Sequence, residues 1–230
     1  MKILHISDLH FVKKHFDWVT QVQDDFDVIC LTGDLLCDSN TQKVKLESQV
    51  EWITEWVTSI YKPIFICSGN HDAVGESENL TDLEALFDID EEALWGDTED
   101  PVMISSSEWI NELGSKNVFT DRKITTINGI TFGCIPYGDS RLEDYRSCEV
   151  ILYHQPPYGL DVSNDNSGDY GCESIRAAID SGLLSPTWIL SGHIHNPVKK
   201  ISKIKSTTVS NPGSSSRVSA PLHYELILTL

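Results

Sequence analysis

The sequence contains no apolar stretch approaching the ~20 residues that a membrane-spanning helix needs. It also lacks a C-x-x-C pair, although six cysteines are present, so a zinc site built on cysteines is not expected. No internal repeat, low-complexity tract or linker divides the chain, and its opening residues lack the apolar core of a secretory signal. We therefore predict a single domain over residues 1–230 that makes no use of a membrane and stays in the cytoplasm with reduced, mostly buried thiols.

Basic residues are scarce, since 17 Lys and Arg stand against 35 Asp and Glu and give a formal net charge of −18. Such a charge repels phosphate backbones at long range, so stable nucleic-acid binding is not expected. It leaves a small phosphorylated substrate open, because bound cations reverse the local field. Residues 73–100 carry 11 of the acids and no Lys or Arg. They are predicted to form an acidic insertion or lid, or else a solvated surface excursion without a function.

Short apolar runs bounded by polar residues predict buried strands. These runs cover residues 3–6, 27–32, 63–67, 149–153 and 187–190. Apolar residues at helical spacing predict a helix within 41–61, between the second and third runs. Strand, helix and strand in this order indicate a right-handed crossover in a largely parallel sheet. The pattern therefore favours the α/β class.

The remaining elements predict a second sheet packed on the first. Residues 123–134 form a hairpin pattern around Asn128-Gly129, a pair that suits a type I′ turn. Capping and spacing predict helices over 105–113 and 171–180. Further strands are predicted over 198–204, 207–210 and 224–228.

Five predicted strands are each followed by polar side chains that are able to bind a metal ion. The ligand candidates are Asp8, His10, Asp34, Asn70, His154, His193 and His195. Because the carboxyl ends of parallel strands share one edge of a sheet, we expect these groups to converge. Oxygen and nitrogen donors without thiolate suit Mn²⁺ best, with Fe, Zn²⁺, Ni²⁺ or Mg²⁺ as alternatives. Seven ligands are too many for one ion and fit two ions that share a carboxylate.

Glycine precedes three of the candidate ligands, at Gly33, Gly69 and Gly192. A glycine permits the tight turn and close backbone approach that crowded ligation requires. Each motif taken singly also fits a surface or core residue. All five in this order, each at a strand end, favour a metal site.

This order of motifs resembles the calcineurin-like metallophosphoesterase superfamily, whose motifs run D-x-H, G-D, G-N-H-[DE], H and G-H-x-H. They stand here at residues 8–10, 33–34, 69–72, 154 and 192–195. The later residues 211–214 (Asn-Pro-Gly-Ser) also resemble a turn common in that family. The resemblance implies a four-layer α/β/β/α sandwich of two mostly parallel or mixed sheets, with a dinuclear metal centre at the strand C-terminal ends.

The resemblance also implies a role for each site residue. Asp8, His10, Asp34 and His195 would bind the first ion. Asp34, Asn70, His154 and His193 would bind the second, with Asp34 bridging. His71 and Asp72 would be catalytic, His71 as general acid or as a cation on the phosphoryl oxygens and Asp72 as the group that orients it. The implied reaction is hydrolysis of a phosphodiester or phosphomonoester of a small or nucleotide-like substrate by a hydroxide held between the ions.

Several alternatives within the superfamily remain open. Asp72 in the G-N-H-D motif, and the absence of Asp-Arg-Gly after Asp34, favour a phosphodiesterase over a Ser/Thr protein phosphatase. A nuclease is disfavoured because the chain lacks a basic face. A non-catalytic scaffold is disfavoured because no motif residue is missing. Tyr137, Tyr158 and Arg217 are candidate substrate contacts, and the sequence gives no prediction of oligomeric state.

Overall fold

Two β-sheets pack face to face in the computed structural model, which describes residues 1–37, 44–75, 105–114 and 116–228. The strands, in chain order, are β1 (Lys2–Ile6), β2 (Val28–Thr32), β3 (Ile64–Cys67), β4 (Val74–Gly75), β5 (Ser105–Ser106), β6 (Val118–Phe119), β7 (Ile124–Ile127), β8 (Ile130–Cys134), β9 (Val150–Leu152), β10 (Trp188–Leu190), β11 (Ile201–Ile204), β12 (Thr207–Ser210) and β13 (His223–Ile227). The helices are α1 (Lys13–Val22), α2 (Leu46–Val57) and α3 (Glu173–Ser181). Most of the predicted acidic lid, residues 76–100, lies outside the described residues.

Both sheets have a parallel centre, and the first has one antiparallel edge whereas the second has two. The first sheet has the order β13-β1-β2-β3-β6, in which β13 is antiparallel to β1 and the other pairs are parallel. The second has the order β11-β12-β10-β9-β8-β7, in which β11 and β7 are the antiparallel edges. The parallel centres place the ends of β1, β2, β3, β9 and β10 where chemistry in this class of sheet is expected.

The fold has four layers of helices and sheets, and a cluster of buried apolar residues lies between each pair of neighbouring layers. Alternate residues of β1 show the division, because Leu4 and Ile6 pack with α1 and α2 while Ile3 packs against the second sheet. On the far side of the second sheet, Ile175 and Ile179 of α3 complete a third cluster. The order helix, sheet, sheet, helix confirms the predicted α/β/β/α sandwich.

A buried histidine connects the two sheets across their shared core. His5 lies in β1, is fully buried, and its Nε2 is 3.0 Å from Thr32 Oγ1 in the first sheet. Its Nδ1 is 2.9 Å from Ser210 Oγ in the second. Burial lowers the pKa of His5 to about 3, so the imidazole is neutral when folded.

One predicted helix is absent from the described residues, and one helix of the structure was not predicted. Residues 105–113 do not form the predicted helix: Ser105–Ser106 pairs antiparallel with Val74–Gly75, and a short 3₁₀ turn covers Glu108–Glu112. Because Ser105 pairs with Gly75 in this two-stranded sheet, it does not cap a helix as predicted. Helix α1 was not predicted at all. It has no side-chain cap at Val12 and no acid in its first turn, so the usual start signals are missing.

The cysteines agree with the expectation of reduced, mostly buried thiols. All six cysteines are free, five are buried, and Cys172 is half-buried. Across the described ranges, none of the helices has both the length and the apolar character needed to cross a bilayer.

Candidate metal centre

The first group of donor atoms joins both sheets at one edge. Asp8 and His10 follow β1, Asp34 follows β2, and His195 follows β10 of the second sheet. One ligand atom from each of the four lies within 4.8 Å of the others. His10 Nε2 is 2.9 Å from His195 Nε2, which in turn is 3.4 Å from Asp8 Oδ1. Four of the predicted ligands therefore converge on one point.

A second group lies beside the first. Asn70 Oδ1 is 3.1 Å from His154 Nε2 and 2.9 Å from His193 Nδ1. Asn70 follows β3, His154 follows β9 and His193 follows β10, so this group also draws on both sheets. The three remaining predicted ligands are therefore together as well.

Asp34 belongs to both groups. Its Oδ2 is 3.9 Å from His10 Nε2 in the first group and 3.3 Å from His154 Nε2 in the second. The side chain is almost completely buried. It stands where a carboxylate bridging two ions would be required.

The donor spacings fit divalent ions. Metal–nitrogen and metal–oxygen bonds are about 2.1 Å long, so donors sharing an ion lie about 3–4 Å apart. Individual separations include 2.9 Å between His10 Nε2 and His195 Nε2 and 4.0 Å between His10 Nε2 and Asp8 Oδ1, and the four ligand atoms of the first group lie within 4.8 Å of one another. Imidazole, carboxylate and amide donors without sulfur also match Mn²⁺, Fe or Zn²⁺ chemistry.

Backbone carbonyls fix the orientation of two ligand rings. His154 Nδ1 donates to the Thr32 carbonyl at 2.7 Å, and His10 Nδ1 donates to the Leu36 carbonyl at 3.2 Å. A proton held on Nδ1 leaves the lone pair of Nε2 free to bind a metal. In both residues Nε2 is the atom that faces the donor group.

The backbone is strained at four of the candidate ligands. Asp8, His10, Asp34 and His193 all have positive φ values, of 55°, 42°, 55° and 69°. Non-glycine residues adopt this region rarely and at an energetic cost, and such strain concentrates at functional sites. Hydrogen bonds between the loops hold it, as when His10 N–H donates to the Asp34 carbonyl at 2.9 Å.

All three glycines before the candidate ligands are required by space. A Cβ at Gly33 would lie 2.6 Å from His154 Nδ1. A Cβ at Gly192 would overlap Ser7 Oγ and crowd the Asp8 carboxylate. A Cβ at Gly69 would overlap the Asp34 carboxylate. The prediction that glycine permits close approach is confirmed at all three positions.

Comparison with known proteins identifies the family. The sequence model described as calcineurin-like phosphoesterase matches residues 1–197. The chain belongs to the calcineurin-like phosphoesterase family. No curated protein matches it significantly.

Solved structures resemble this phosphoesterase in fold. The Thermus thermophilus protein TT1561 has a TM-score of 0.55 and 13% identity, over 97% of each chain. A phosphopantetheinyl hydrolase from Mycobacterium tuberculosis has a TM-score of 0.50 and 12% identity, over 92% of this chain and 88% of its own. At these identities the likeness shows the shared fold alone.

The structure gives Asp72 a structural role that the sequence did not predict, while its predicted role of orienting His71 stays a prediction. The side chain is fully buried, and its Oδ1 accepts the N–H groups of Leu35 and Leu36 at 2.7 and 3.0 Å. Its Oδ2 accepts those of Asp34 and Gly69, each at 2.8 Å. Because both oxygens are used by the main chain, Asp72 is a positioning residue that ties together the loops after β2 and β3.

His71 lies at the rim of the phosphoesterase site. Its backbone N–H donates to Asp34 Oδ1 at 2.9 Å, and its ring is 5.3 Å from the ring of His10. The side chain is half-buried, so it faces both the donor groups and solvent. This place suits the predicted general acid, whose role stays a prediction.

Charges at the centre are strongly coupled. Burial alone would lower the pKa of His154, but the charge and hydrogen bond of Asp34 outweigh it and raise the pKa to about 9. Burial likewise opposes ionisation of Asp34, but His154 overrides it and holds the pKa of Asp34 below its usual range. Burial lowers the pKa of His10 and His193. In the absence of metal, Asp34 and His154 therefore form a buried ion pair, and an ion bound at His154 Nε2 would displace the proton held there.

The turn over residues 211–214 supports the centre in a way the sequence did not reveal. Asn211 is fully buried and its Nδ2 donates to the carbonyls of Gly192 and Ile194 at 2.7 and 3.1 Å. Ser214 Oγ donates to the Asp8 carbonyl at 2.6 Å. The resemblance of this turn to a family turn was the available signal. These contacts with the backbone could not be read from spacing.

Proposed function

We propose that this phosphoesterase holds two divalent ions, with Mn²⁺ favoured, and hydrolyses a phosphate ester of a small or nucleotide-like substrate. The observation that carries the proposal is the position of Asp34 Oδ2, 3.3 Å from His154 Nε2 and 3.9 Å from His10 Nε2. One buried carboxylate that faces both donor groups matches the bridging ligand expected of a two-ion site. Asp8 and His195 would complete the first site. Asn70, His154 and His193 would complete the second.

When bound, the two ions supply Lewis-acid activation of a water nucleophile and offset the charge of the phosphoryl group. The residues of the chain perform the other steps. Thr32 and Leu36 keep the His154 and His10 rings oriented through their carbonyls. His71, half-buried beside His10, would donate a proton to the leaving oxygen, a task that suits imidazole near neutral pH.

The substrate side of the proposal rests on charge and motif. A phosphodiester is favoured over a phosphomonoester or a phosphoprotein by the G-N-H-D form of the third motif. Long nucleic acids are disfavoured because the chain carries a net charge of −18 and has little to gain from counterion release. The six free thiols support a cytoplasmic location.

A scaffold without catalysis is the second candidate, and the geometry argues against it. Loss of catalysis in such a fold would be expected to remove ligands. Here all seven predicted donors are present, and the strained backbone that presents four of them is retained. Strain of this kind persists where function selects for it.

The test is hydrolysis of bis-p-nitrophenyl phosphate and p-nitrophenyl phosphate by the full chain with and without Mn²⁺. We expect activity that EDTA removes and Mn²⁺ restores. Asp34→Asn should bind clearly less than two equivalents of metal and retain only background activity. Asp180→Asn, an exposed carboxylate on α3, is the control and should match the wild type. Full metal content and normal turnover in Asp34→Asn would overturn the bridging assignment.

A further inference from the structure

Tyr137 places an aromatic ring against the second donor group. It follows β8, whose carboxyl end lies at the same edge of the second sheet as the residues after β9 and β10. Its ring centroid is 5.9 Å from that of His154 and 6.5 Å from that of His193. Neither the metal ligation nor the proton transfer proposed above uses this residue.

The turn that carries Tyr137 holds it in a defined position. Asp139 N–H donates to the Pro136 carbonyl at 3.1 Å, which closes a four-residue β-turn. Gly138 has a φ of 76°, while Tyr137 is not among the residues with positive φ. This combination is a type II turn, with Tyr137 at its first central position and glycine at the second, where positive φ is required.

The turn is also anchored to a metal-binding loop. Tyr137 N–H donates to Ser68 Oγ at 2.9 Å, two residues before Asn70. Ser68 N–H in turn donates to the buried Asp121 Oδ1 at 2.9 Å. On the other side of the turn, Asp139 pairs with Arg141 at 2.8 Å. The base of the ring is therefore fixed relative to the second donor group.

The ring itself remains open to solvent, with 39% of Tyr137 exposed. A phosphoryl group bound between the two donor groups would leave its organic substituent near the rim of the site. His71 stands beside His10 of the first group, and Tyr137 stands beside His154 and His193 of the second. The two side chains thus mark different parts of the rim, one with a proton donor and one with a flat apolar face.

We propose that Tyr137 is a specificity-determining residue that stacks on a flat ring in the organic part of the substrate. The substrate class is then a phosphate ester that carries an aromatic or heteroaromatic ring, such as a nucleobase. This inference rests on the proposed function, because the phosphoryl group is taken to bind at the donor groups. Stacking on an aromatic side chain tolerates any base, since every base presents a π-face.

The experiment compares two diesters that share ethanol as the leaving group and differ in whether they carry a flat ring, thymidine 5′-(ethyl phosphate) and methyl ethyl phosphate. Tyr137→Leu should lower kcat/KM about 5- to 150-fold on the thymidine ester, mainly through KM, and should affect the methyl ester far less. Tyr137→Phe keeps the ring and should resemble the wild type on both. Tyr61→Leu removes an exposed tyrosine before β3, at the opposite sheet edge, and serves as control.

Equal losses on the two esters in Tyr137→Leu would overturn the proposal, and so would Tyr137→Phe behaving like Tyr137→Leu. Metal content and thermal unfolding of each variant identify any loss of activity caused by misfolding. If Tyr137→Leu misfolds, the comparison of Tyr137→Phe with the wild type decides the outcome.

Calorimetric binding of AMP and ribose 5-phosphate to the Mn²⁺-loaded protein separates the two proposals. If the wild type hydrolyses neither ester, the proposed function fails. A preference for AMP that disappears in Tyr137→Leu would still support stacking, and a preference that persists would overturn it.

Discussion

The carboxylate of Asp72 accepts the backbone N–H of Asp34 at 2.8 Å, so a fully buried acid fixes the residue shared by both donor groups. The same carboxylate accepts Gly69 N–H, at the start of the loop that carries Asn70. Ligands that follow two neighbouring strands are thereby held to one another by a single side chain.

Asp72→Asn should therefore damage the protein more than its small change in shape indicates. Each carboxylate oxygen accepts two N–H groups, and the amide nitrogen of asparagine would face two donors with a donor of its own. We expect a loss of about 2–4 kcal/mol in the free energy of unfolding. Urea denaturation of the EDTA-treated protein measures it. Asp161→Asn breaks an exposed pair with Lys199 and should change little. An equal effect of both substitutions would contradict the positioning role.

His71→Ala should separate chemistry from metal binding. Both donor groups keep all their atoms, so metal content should stay at the wild-type value. The rate on an alkyl phosphodiester should fall by about 10²–10⁴, the usual contribution of a positioned general acid. The loss on a p-nitrophenyl ester should be much smaller, because that group leaves without a proton. Equal losses would indicate an electrostatic role toward the phosphoryl oxygens, and loss of metal would make His71 a ligand.

Gly192→Ala tests the close packing under the G-H-x-H loop. The added methyl group would overlap Ser7 Oγ and push on Asp8, so the loop carrying His193 and His195 must move. We expect reduced metal content together with a lower unfolding temperature. Gly114→Ala is the matched control, because its nearest neighbour there is the Glu112 carbonyl at 3.6 Å. A Gly192→Ala protein with full metal content would show that the loop tolerates displacement.

His5 predicts a specific dependence of stability on pH. Its pKa is about 3 in the folded protein, against 6.5 for the free side chain, because the ring is buried between the sheets. Below about pH 6.5 the unfolded chain takes up a proton that the folded protein excludes. The free energy of unfolding should therefore fall as the pH drops from 6.5 toward 3, by up to about 1.4 kcal/mol per pH unit from this group.

His5→Gln should remove that contribution while leaving a donor and an acceptor near Thr32 and Ser210. Urea denaturation at pH 7, 6 and 5, with EDTA present throughout, gives the difference between wild type and variant. The wild type should lose stability more steeply over this range. Parallel curves for the two proteins would mean that His5 is not the group responsible.

The convergence of the candidate ligands was easier to predict from the sequence than the local backbone conformation. Strand ends are marked by the change from apolar to polar residues, so Asp8, Asp34 and His154 were identifiable as groups at one sheet edge. The positive φ values of Asp8 and His193 could not be predicted, because Asp and His adopt this region more often than most residues but still do so in a minority of cases. It is imposed by hydrogen bonds from other loops.

Errors arose where long-range pairing decided the outcome. Residues 105–106 form a strand because residues 74–75 pair with them, and the local pattern of Ser and Glu pointed to a helix instead. The structural role of Asp72 was not predicted, because its partners include the N–H groups of Asp34 and Leu35, far away in the chain. Spacing along a sequence carries no direct record of such contacts.

The contact between His10 and His195 limits when, during synthesis, the first donor group can be complete. Their Nε2 atoms are 2.9 Å apart although 185 positions separate the residues along the chain. Asp8, His10 and Asp34 are synthesised before the donors of the second sheet, which are His154, His193 and His195. A nascent chain therefore presents an incomplete set of donor atoms until the loop after β10 has been synthesised.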